Sequence, residues 1–459
     1  MVGIESYAAY LPSVRLDRAA VTGALGSGRG RGERPVASYD EDTTTLAVAA
    51  ARRALSGRGT TPDTLWFATT RPAYLEKSNA ATVAVASGLP AETAAYDVGG
   101  ALRGGAGALR AGLAAGAEGA VVVGSDVRFG LPGSPDESGG VDGAAAFVLG
   151  PDPVAELVGT ASVTSEFLDR WREPGATRTR TWEDRFGVEE YVPLVQRVVD
   201  DLLGRCELKR EQLDHVVVSL PHPRALAAVT KTFETGQVAA GAAVGGHAGA
   251  ADLGLRLVAA LDAATPGQLV LAVSAADGAD AFVFRVTERH APTPTPPSPT
   301  QQVSYADFLT WRGLLPREPA RRPDVKPPVP PASRRSAAWK FAFVAGRCTE
   351  CGYRNLPPRR VCLRCSAQDA FEPVSMVEVP ARVATFTDDW LSESVQLPAK
   401  VVAVDFDGGG RFEFEMTDAV GREVAIGDLV SPTFRVASIA ANGVRNYVWK
   451  VRPADEGGN

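Results

Sequence analysis

Outside one short segment this chain has almost no cysteine: of five in 459 residues, four are Cys348, Cys351, Cys362 and Cys365, which leaves only Cys206. A disulfide framework is therefore excluded for most of the molecule, and the spacing of the four fits a reducing compartment. An excess of positive charge is also missing. Lysine and arginine total 48 against 54 acidic residues, a net charge of −6, so no electrostatic case exists for nucleic acid or an anionic membrane. The local pairs Arg321-Arg322 and Arg334-Arg335 stand in proline-rich sequence and read as solvated linker charge. No apolar run reaches the length of a membrane span without charges or turn residues. Met1-Val2-Gly3-Ile4-Glu5 offers no basic stretch leading into an apolar one, so no signal peptide is expected. The expectation is a cytoplasmic protein with no membrane or nucleic-acid partner.

What is present is ordinary in bulk: 45% hydrophobic and 22% charged residues, enough for two or three domains with their own cores. The four clustered cysteines form Cys348-x2-Cys351-x10-Cys362-x2-Cys365. Two close pairs joined by a short turn bring four thiolates within tetrahedral reach of one Zn²⁺. The competing reading is a set of buried cytosolic thiols. With four cysteine ligands the coordination sphere is closed, so the ion is structural, holding together a segment too short for a large core.

Two proline-rich stretches punctuate the chain, Ala291–Pro299 and a second from about Pro316 to Pro331, with a short helix expected over Tyr305–Leu315. They divide a large domain over 1–290 from a linker over 291–335, a zinc ribbon over 336–375 and a small all-β domain over 376–459. The large domain repeats a unit, which divides it at about residue 150. Helix Gly104–Gly116, strand Ala120–Val123 and Asp142-Gly143-Ala144 correspond to helix Gly249–Ala263, strand Leu269–Val273 and Asp277-Gly278-Ala279. Short β-branched runs alternating with Ala/Leu-rich helices imply an α/β layered core of two similar halves, with a cleft at their junction. The plainer alternative is two unrelated turn-and-strand units. In the last domain, Val383–Thr387, Lys400–Asp405, Arg411–Met416 and Asn446–Val451 read as strands of a small OB-type barrel. A basic face and a run of exposed aromatics are both missing there, which argues against oligonucleotides.

Residues 1–290 resemble the thiolase superfamily, closest to hydroxymethylglutaryl-CoA synthase and ketoacyl-carrier-protein synthase III. Residues 336–453 resemble the zinc-ribbon-plus-OB proteins that accompany thiolase-like enzymes, through Cys348-Thr349-Glu350-Cys351-Gly352, Pro357-Pro358-Arg359 and Cys362-Leu363-Arg364-Cys365. The resemblance implies a duplicated five-layer αβαβα fold, a homodimer, and an acyl-CoA or acyl-carrier-protein thioester as substrate.

The synthases place a nucleophilic cysteine at the start of a buried helix, where amide groups and the helix dipole stabilise a thiolate. Here the matching stretch is Asp97-Val98-Gly99-Gly100-Ala101-Leu102-Arg103-Gly104, and Leu102 takes that seat. An isobutyl group cannot be acylated. The synthases' glutamate aligns with Thr70, and Glu76 lies on the wrong side of the turn and reads as solvating a helix start. Their histidine is matched by His222 in Ser219-Leu220-Pro221-His222-Pro223, and the asparagine of the ketoacyl synthases is replaced by His247 in Gly245-Gly246-His247-Ala248. Either histidine is also compatible with a purely structural role, and His215 and His290 carry no expected chemistry. The resemblance implies carbon–carbon bond formation or cleavage on an acyl-CoA, of aldol or Claisen type, without a cysteine acyl-enzyme and with His222 and His247 as catalytic groups. Two alternatives stand beside it: a non-covalent acyltransferase with His222 as base, and a non-catalytic thioester-binding scaffold for a partner thiolase.

Overall fold

The structure, a computed structural model, describes residues 2–26, 30–57, 61–115, 119–234, 236–238, 245–290, 300–318, 326–392 and 394–454. It divides into two compact units. One comprises Met1–Ser38, Asp42–Ala84 and Leu89–Pro316; the other comprises Tyr39–Glu41, Val85–Gly88 and Arg317–Asn459.

The first unit is built on nine strands: β1 (Gly3–Tyr10), β2 (Thr64–Thr69), β3 (Ala94–Gly99), β4 (Ala120–Asp126), β5 (Gly143–Gly150), β6 (Ala155–Thr164), β7 (His215–Ser219), β8 (Leu269–Ala275) and β9 (Gly278–Val286). Their order in the sheet is β7-β8-β9-β6-β1-β5-β4-β2-β3. Two half-sheets meet where β1 and β6 share only the pairs Gly3–Glu156 and Ile4–Ala155. Within each half the pairing is the same. β2 runs parallel to β4, β4 antiparallel to β5, and β5 antiparallel to β1; likewise β7 runs parallel to β8, β8 antiparallel to β9, and β9 antiparallel to β6. The repeat read from the two Asp-Gly-Ala segments is thus a structural one, with β3 added to the first half.

Helices account for the other layers. Between the half-sheets lie α2 (Gly104–Ala115) and α5 (Asp252–Ala263), whose Ala106, Leu109, Leu113, Leu253, Leu257 and Leu261 share one core with Val122 and Phe147 of one half and Ala272, Phe282 and Phe284 of the other. Small residues let these layers close. A Cβ at Gly105 would lie 2.1 Å from the Ala250 carbonyl oxygen, and one at Gly124 would lie 2.8 Å from the same atom. On one outer face α1 (Thr43–Leu55) packs on β5, β1 and β4, its first turn closed by a capping box between Asp42 and Thr45. On the other, α3 (Asp184–Arg205) and α4 (Pro223–Thr230) cover β7, β8 and β9 through Tyr191, Val195, Val199, Leu202, Ala225 and Val229. Strands covered on both faces lose the polar–apolar alternation: every residue of β5 and β8 is buried. The sequence of layers is helix, half-sheet, helices, half-sheet, helices, the expected αβαβα.

The unit extends beyond the boundary expected at residue 290. Helix Tyr305–Trp311 is no free linker element: Phe308 and Tyr305 join Val14, Leu16, Val21 and Val36 in a local core, and Tyr305 donates to Glu137 at 2.9 Å. The apolar side of that helix is what anchors it. Ala291–Pro299, the first proline stretch, lies outside the described residues.

The second unit holds a three-stranded ribbon, β10 (Val344–Cys348), β11 (Arg354–Asn355) and β12 (Phe371–Ser375), then β13 (Ala381–Asp389), β14 (Ala399–Phe406), β15 (Arg411–Met416), β16 (Leu429–Ile439) and β17 (Arg445–Pro453), which close into a barrel in the order β13-β14-β15-β17-β16. Four of the five were expected. β16, the longest, was hidden by Pro432, which pairs with Val451 while lacking an N–H to give the ladder. The barrel does display aromatics, with Phe386 and Trp390 exposed, but Asp388 and Asp389 stand between them rather than basic groups. Among the described residues, no helix is long and apolar enough to cross a membrane.

Candidate functional site

In the ribbon, the Sγ atoms of Cys348, Cys351, Cys362 and Cys365 all lie within 4.8 Å of one another, with Cys348–Cys365 and Cys351–Cys362 both at 3.6 Å. Zinc–sulfur bonds of about 2.3 Å in a tetrahedron separate sulfurs by about 3.8 Å, so the four fit Zn²⁺. The sequence around them prepares the thiolates. Buried Asn355 aims Nδ2 at Cys362 Sγ (3.7 Å) and accepts from the Leu363 amide (3.0 Å), and the Arg364 amide donates to the same sulfur at 3.4 Å. Such N–H groups disperse thiolate charge and fix the ligand orientation.

In the first unit, the chain places two positions singled out from sequence on one cavity. Thr70 follows the end of β2, and Leu102 sits half-buried in the turn just ahead of α2. Both line a cavity of about 240 Å³, together with Gly100, Ala101, Arg128, Arg170, Trp171, Arg172, Thr179 and Asp277. Thr70 is buried and serves Asp126 at the end of β4: its Oγ1 donates to the carboxylate at 2.8 Å and its amide at 3.1 Å. The Ala250 amide, from the turn before α5, donates to the same group at 2.8 Å. Asp126 thereby ties the two halves together below the cavity, a use of Thr70 that a glutamate in its place would not permit without adding a second carboxylate.

The histidines are held differently. His222 caps α4, its Nδ1 accepting from the Ala225 amide at 3.1 Å. His247 does the same in miniature, Nδ1 accepting from the Gly249 amide at 3.0 Å. An acceptor Nδ1 places the neutral ring's proton on Nε2. Each histidine is therefore a donor at Nε2 rather than a ready base. For His222 that nitrogen is buried and has no hydrogen-bond partner among the described residues, in a niche left open by Gly187, whose Cβ would lie 2.8 Å from it. For His247 burial pushes the pKa down to about 4; Asp252 opposes the shift, and the guanidinium groups of Arg128, Arg256 and Arg170 reinforce it. Neither histidine is among the residues lining the cavity with Leu102 and Thr70. Sequence reasoning put both in one cleft; the structure brings Thr70 and Leu102 together, and places the histidines at the starts of the elements after β7 and before α5.

What the sequence reading missed is the cationic wall. Arg128 donates to Thr70 Oγ1 at 3.1 Å and pairs with Asp136 at 3.3 Å; Arg170 also pairs with Asp136, and Arg172 donates to the Thr70 carbonyl at 2.6 Å. Arg71 stands behind them, 3.9 Å over the Phe129 ring, its pKa lowered to about 10 by burial and then by Arg172 and Arg128. Asp136, in spite of burial, is held down at about 2 by Arg128 and Arg170. The fourth wall is Asp277, the first residue of the second Asp-Gly-Ala segment. It has φ of 54°, a left-handed conformation costly for a non-glycine residue. Partial burial and then Glu166 raise its pKa, Arg103 opposing and Asp169 assisting. The alternation Arg170-Trp171-Arg172 was the available signal, but nothing in the sequence said which cavity it would face.

With this geometry in place, similarity to known proteins can be read. Residues 338–372 match the family described as ChsH2, rubredoxin-like zinc ribbon domain. A hydroxymethylglutaryl-CoA synthase of Methanopyrus kandleri is 34% identical over 311 residues, covering 63% of this chain and 88% of that protein. The enzyme of the same name from Archaeoglobus fulgidus is 29% identical over 344 residues, covering 68% and 97%. Among solved structures, an HMG-CoA synthase complexed with CoA superposes with a TM-score of 0.57 at 15% identity over 70% of this chain and 91% of that one. The 3-oxoacyl-(acyl carrier protein) synthase III of Pseudomonas aeruginosa PAO1 superposes with 0.56 at 23% identity over 63% and 99%. These two establish likeness of fold. Taken with the duplicated five-layer core and the four-cysteine ribbon, the sequence relatives settle the matter: the chain belongs to the hydroxymethylglutaryl-CoA synthase family of the thiolase superfamily and carries a rubredoxin-like zinc ribbon after its thiolase-like part.

Proposed function

We propose that the chain forms or cleaves a carbon–carbon bond on an acyl thioester, in an aldol- or Claisen-type reaction that passes through no acyl-enzyme. The observation that carries this reading is the meeting of Leu102 and Thr70 on one cavity. The seats of the family's nucleophile and acid are open to a ligand, yet the first holds an alkyl group and the second a hydroxyl committed to Asp126. The kinship supports a CoA thioester as substrate, since the relatives are named hydroxymethylglutaryl-CoA synthases; an acyl carrier protein is the alternative carrier.

Removing a proton next to a thioester carbonyl requires a base and a donor for the developing enolate oxygen. Asp277 is the candidate base: it lines the cavity and binds a proton more readily than an ordinary aspartate. The family resemblance points to the Nε2–H groups of His222 and His247 as donors; each has Nδ1 satisfied by a backbone amide, and both stand outside the lining that Asp277 shares with Leu102. This arrangement supports donation by His222 over its use as the base of an acyltransferase. The four-thiolate zinc has no part in the reaction: when bound, the ion holds the ribbon's strands together. A homodimer is part of the proposal, with β3 as the contact strand. It ends the sheet, and Tyr96 on it is 51% exposed.

The test is turnover of candidate acyl-CoA and aldehyde pairs by the purified protein, read by mass spectrometry of the products and of the intact chain. We expect product, an unmodified chain, and a fall in rate of about 100-fold or more in Asp277→Asn and in His222→Asn, the second keeping an acceptor for the Ala225 amide. Covalent substrate on the chain, at Cys206 or elsewhere, or rates unchanged in both variants, would overturn it. The losses at Leu102 and Thr70 also favour a second reading, a non-catalytic thioester-binding scaffold; binding without turnover would select it.

A further inference from the structure

Three guanidinium groups and one carboxylate face the cavity at Leu102. Like charges converge in a protein only where something compensates them, because burial in a medium of low dielectric strengthens their repulsion. The compensation on the protein's side is incomplete. Asp136 is shared between Arg128 and Arg170, and both pairs draw on its Oδ1. Arg128 is buried, its side chain 5% exposed, and its Nε has no hydrogen-bond partner among the described residues. Arg172 has no carboxylate within ion-pair distance among the described residues; its hydrogen bond is to the Thr70 carbonyl. Burial and the neighbouring Arg128 both disfavour its charge. Asp277 lines the same cavity, and Arg103 donates to its backbone carbonyl oxygen at 2.9 Å. The indole of Trp171 and the side chain of Leu102 add apolar surface to a lining that also includes Thr70 and Thr179.

We infer that this cavity binds the carboxylate of a reactant, with Arg172 as the principal ligand and Arg128 and Arg170 supporting it, so that the substrate carries a carboxylate besides the thioester. A planar guanidinium with unused N–H groups presents a fork that matches a carboxylate in two parallel hydrogen bonds. The inference rests on the proposed thioester chemistry for the identity of the reactants, and it gives the lost cysteine a replacement: an anion held by charge where the seat no longer allows an acyl group held by a covalent bond. Two sources share the chemistry. The carboxylate ends the acyl chain of a dicarboxylyl thioester, or it belongs to the carbonyl partner as in a 2-oxo acid.

Equilibrium binding to the full chain separates them. Succinyl-CoA is compared with butyryl-CoA, and pyruvate with methyl pyruvate, with inorganic phosphate as a competitor. The expected result is that one carboxylate binds at least about tenfold more tightly than its neutral counterpart, and that Arg172→Gln abolishes the difference. Arg172→Lys, which keeps the charge and loses the fork, falls between and serves if the glutamine variant does not fold. Preference for succinyl-CoA assigns the acyl chain, and preference for pyruvate assigns the carbonyl partner. No preference in either pair, a preference unchanged in the Arg172 variants, or phosphate displacing both carboxylates at equal concentration overturns the inference. Binding that follows the prediction in a protein without turnover leaves the carboxylate site standing and removes the proposed reaction instead.

Discussion

Two places in this molecule gather side chains of one charge about one centre: the ribbon collects four thiolates, and the cavity beside Leu102 collects three guanidinium groups. The difference lies in how the surroundings answer. At the ribbon the four ligands converge to tetrahedral distances, and the N–H groups of Asn355 and Arg364 approach Cys362, an arrangement complete once a divalent cation is bound. At the cavity the arginines lean on Asp136, which is divided between Arg128 and Arg170, and Arg172 is left to a carbonyl oxygen. A closed ligand set marks a structural site, and an open one marks a place for something that comes and goes. The neighbouring Asp142 shows the closed case for arginines. Its carboxylate, fully buried, meets Arg34 at 3.3 Å and Arg312 at 2.7 Å and accepts from the amides of Ala37 and Arg128 at 2.8 and 2.6 Å. It leads the first Asp-Gly-Ala segment, as Asp277 leads the second; one locks a core and the other faces the cavity.

That contrast is broken most severely at the metal. Stripping zinc with a strong chelator should unfold the ribbon strands, because structural zinc contributes on the order of 10 kcal/mol to such folds; hydrogen exchange over 344–375 reads the loss, and elemental analysis should give one zinc per chain in the untreated protein. Next comes the closed arginine site. Asp142→Ala removes the buried carboxylate that Arg34 and Arg312 share, leaving them only backbone carbonyl acceptors, and should cost about 3–5 kcal/mol in urea unfolding, whereas Asp277→Ala at the cavity should cost far less. A third variant restores what the cavity lacks: Leu102→Cys puts a thiol ahead of α2, and incubation with acetyl-CoA should add one acetyl group to the intact mass of the variant and none to the native chain. Absence of the adduct would mean that the arginine wall has displaced the site where a thioester once docked. The smallest effect is in pH. His247, held at about 4, is neutral in the folded chain and takes up its proton in the unfolded chain near 6.5. Its contribution to stability is therefore complete above about 6.5 and is lost as pH falls through about 4, and the imidazole signals of His247 in NMR should titrate only at the lower end of that window.

The sequence made the metal site legible because its ligands sit within eighteen consecutive positions, where spacing alone fixes which atoms meet. The duplicated core was legible for a related reason: Asp142-Gly143-Ala144 and Asp277-Gly278-Ala279 each open a strand that pairs back on the one before the turn, a local event twice repeated. Leu102, singled out by its place in a pattern, stands in the turn ahead of a helix. The errors arose where distant segments decide. Tyr305–Trp311 docks because Val14, Leu16 and Val36, far earlier in the chain, offer it an apolar floor, and Pro432 is tolerated in β16 because of where it falls in the ladder.

By itself, then, the amino-acid order determined which elements form, that they form twice, which four sulfurs bind a cation, and that no thiol stands ahead of α2. All of these are properties of near neighbours along the chain, carried by periodicity, turn chemistry and ligand spacing. Only the tertiary structure decided that Arg128, Arg170, Arg172 and Asp277 share a wall with Leu102, and that His222 and His247 have their Nδ1 atoms spent on backbone amides. The physical reason is that charge acts through space: a guanidinium's partner, and a histidine's free nitrogen, depend on which strands the sheet has brought side by side.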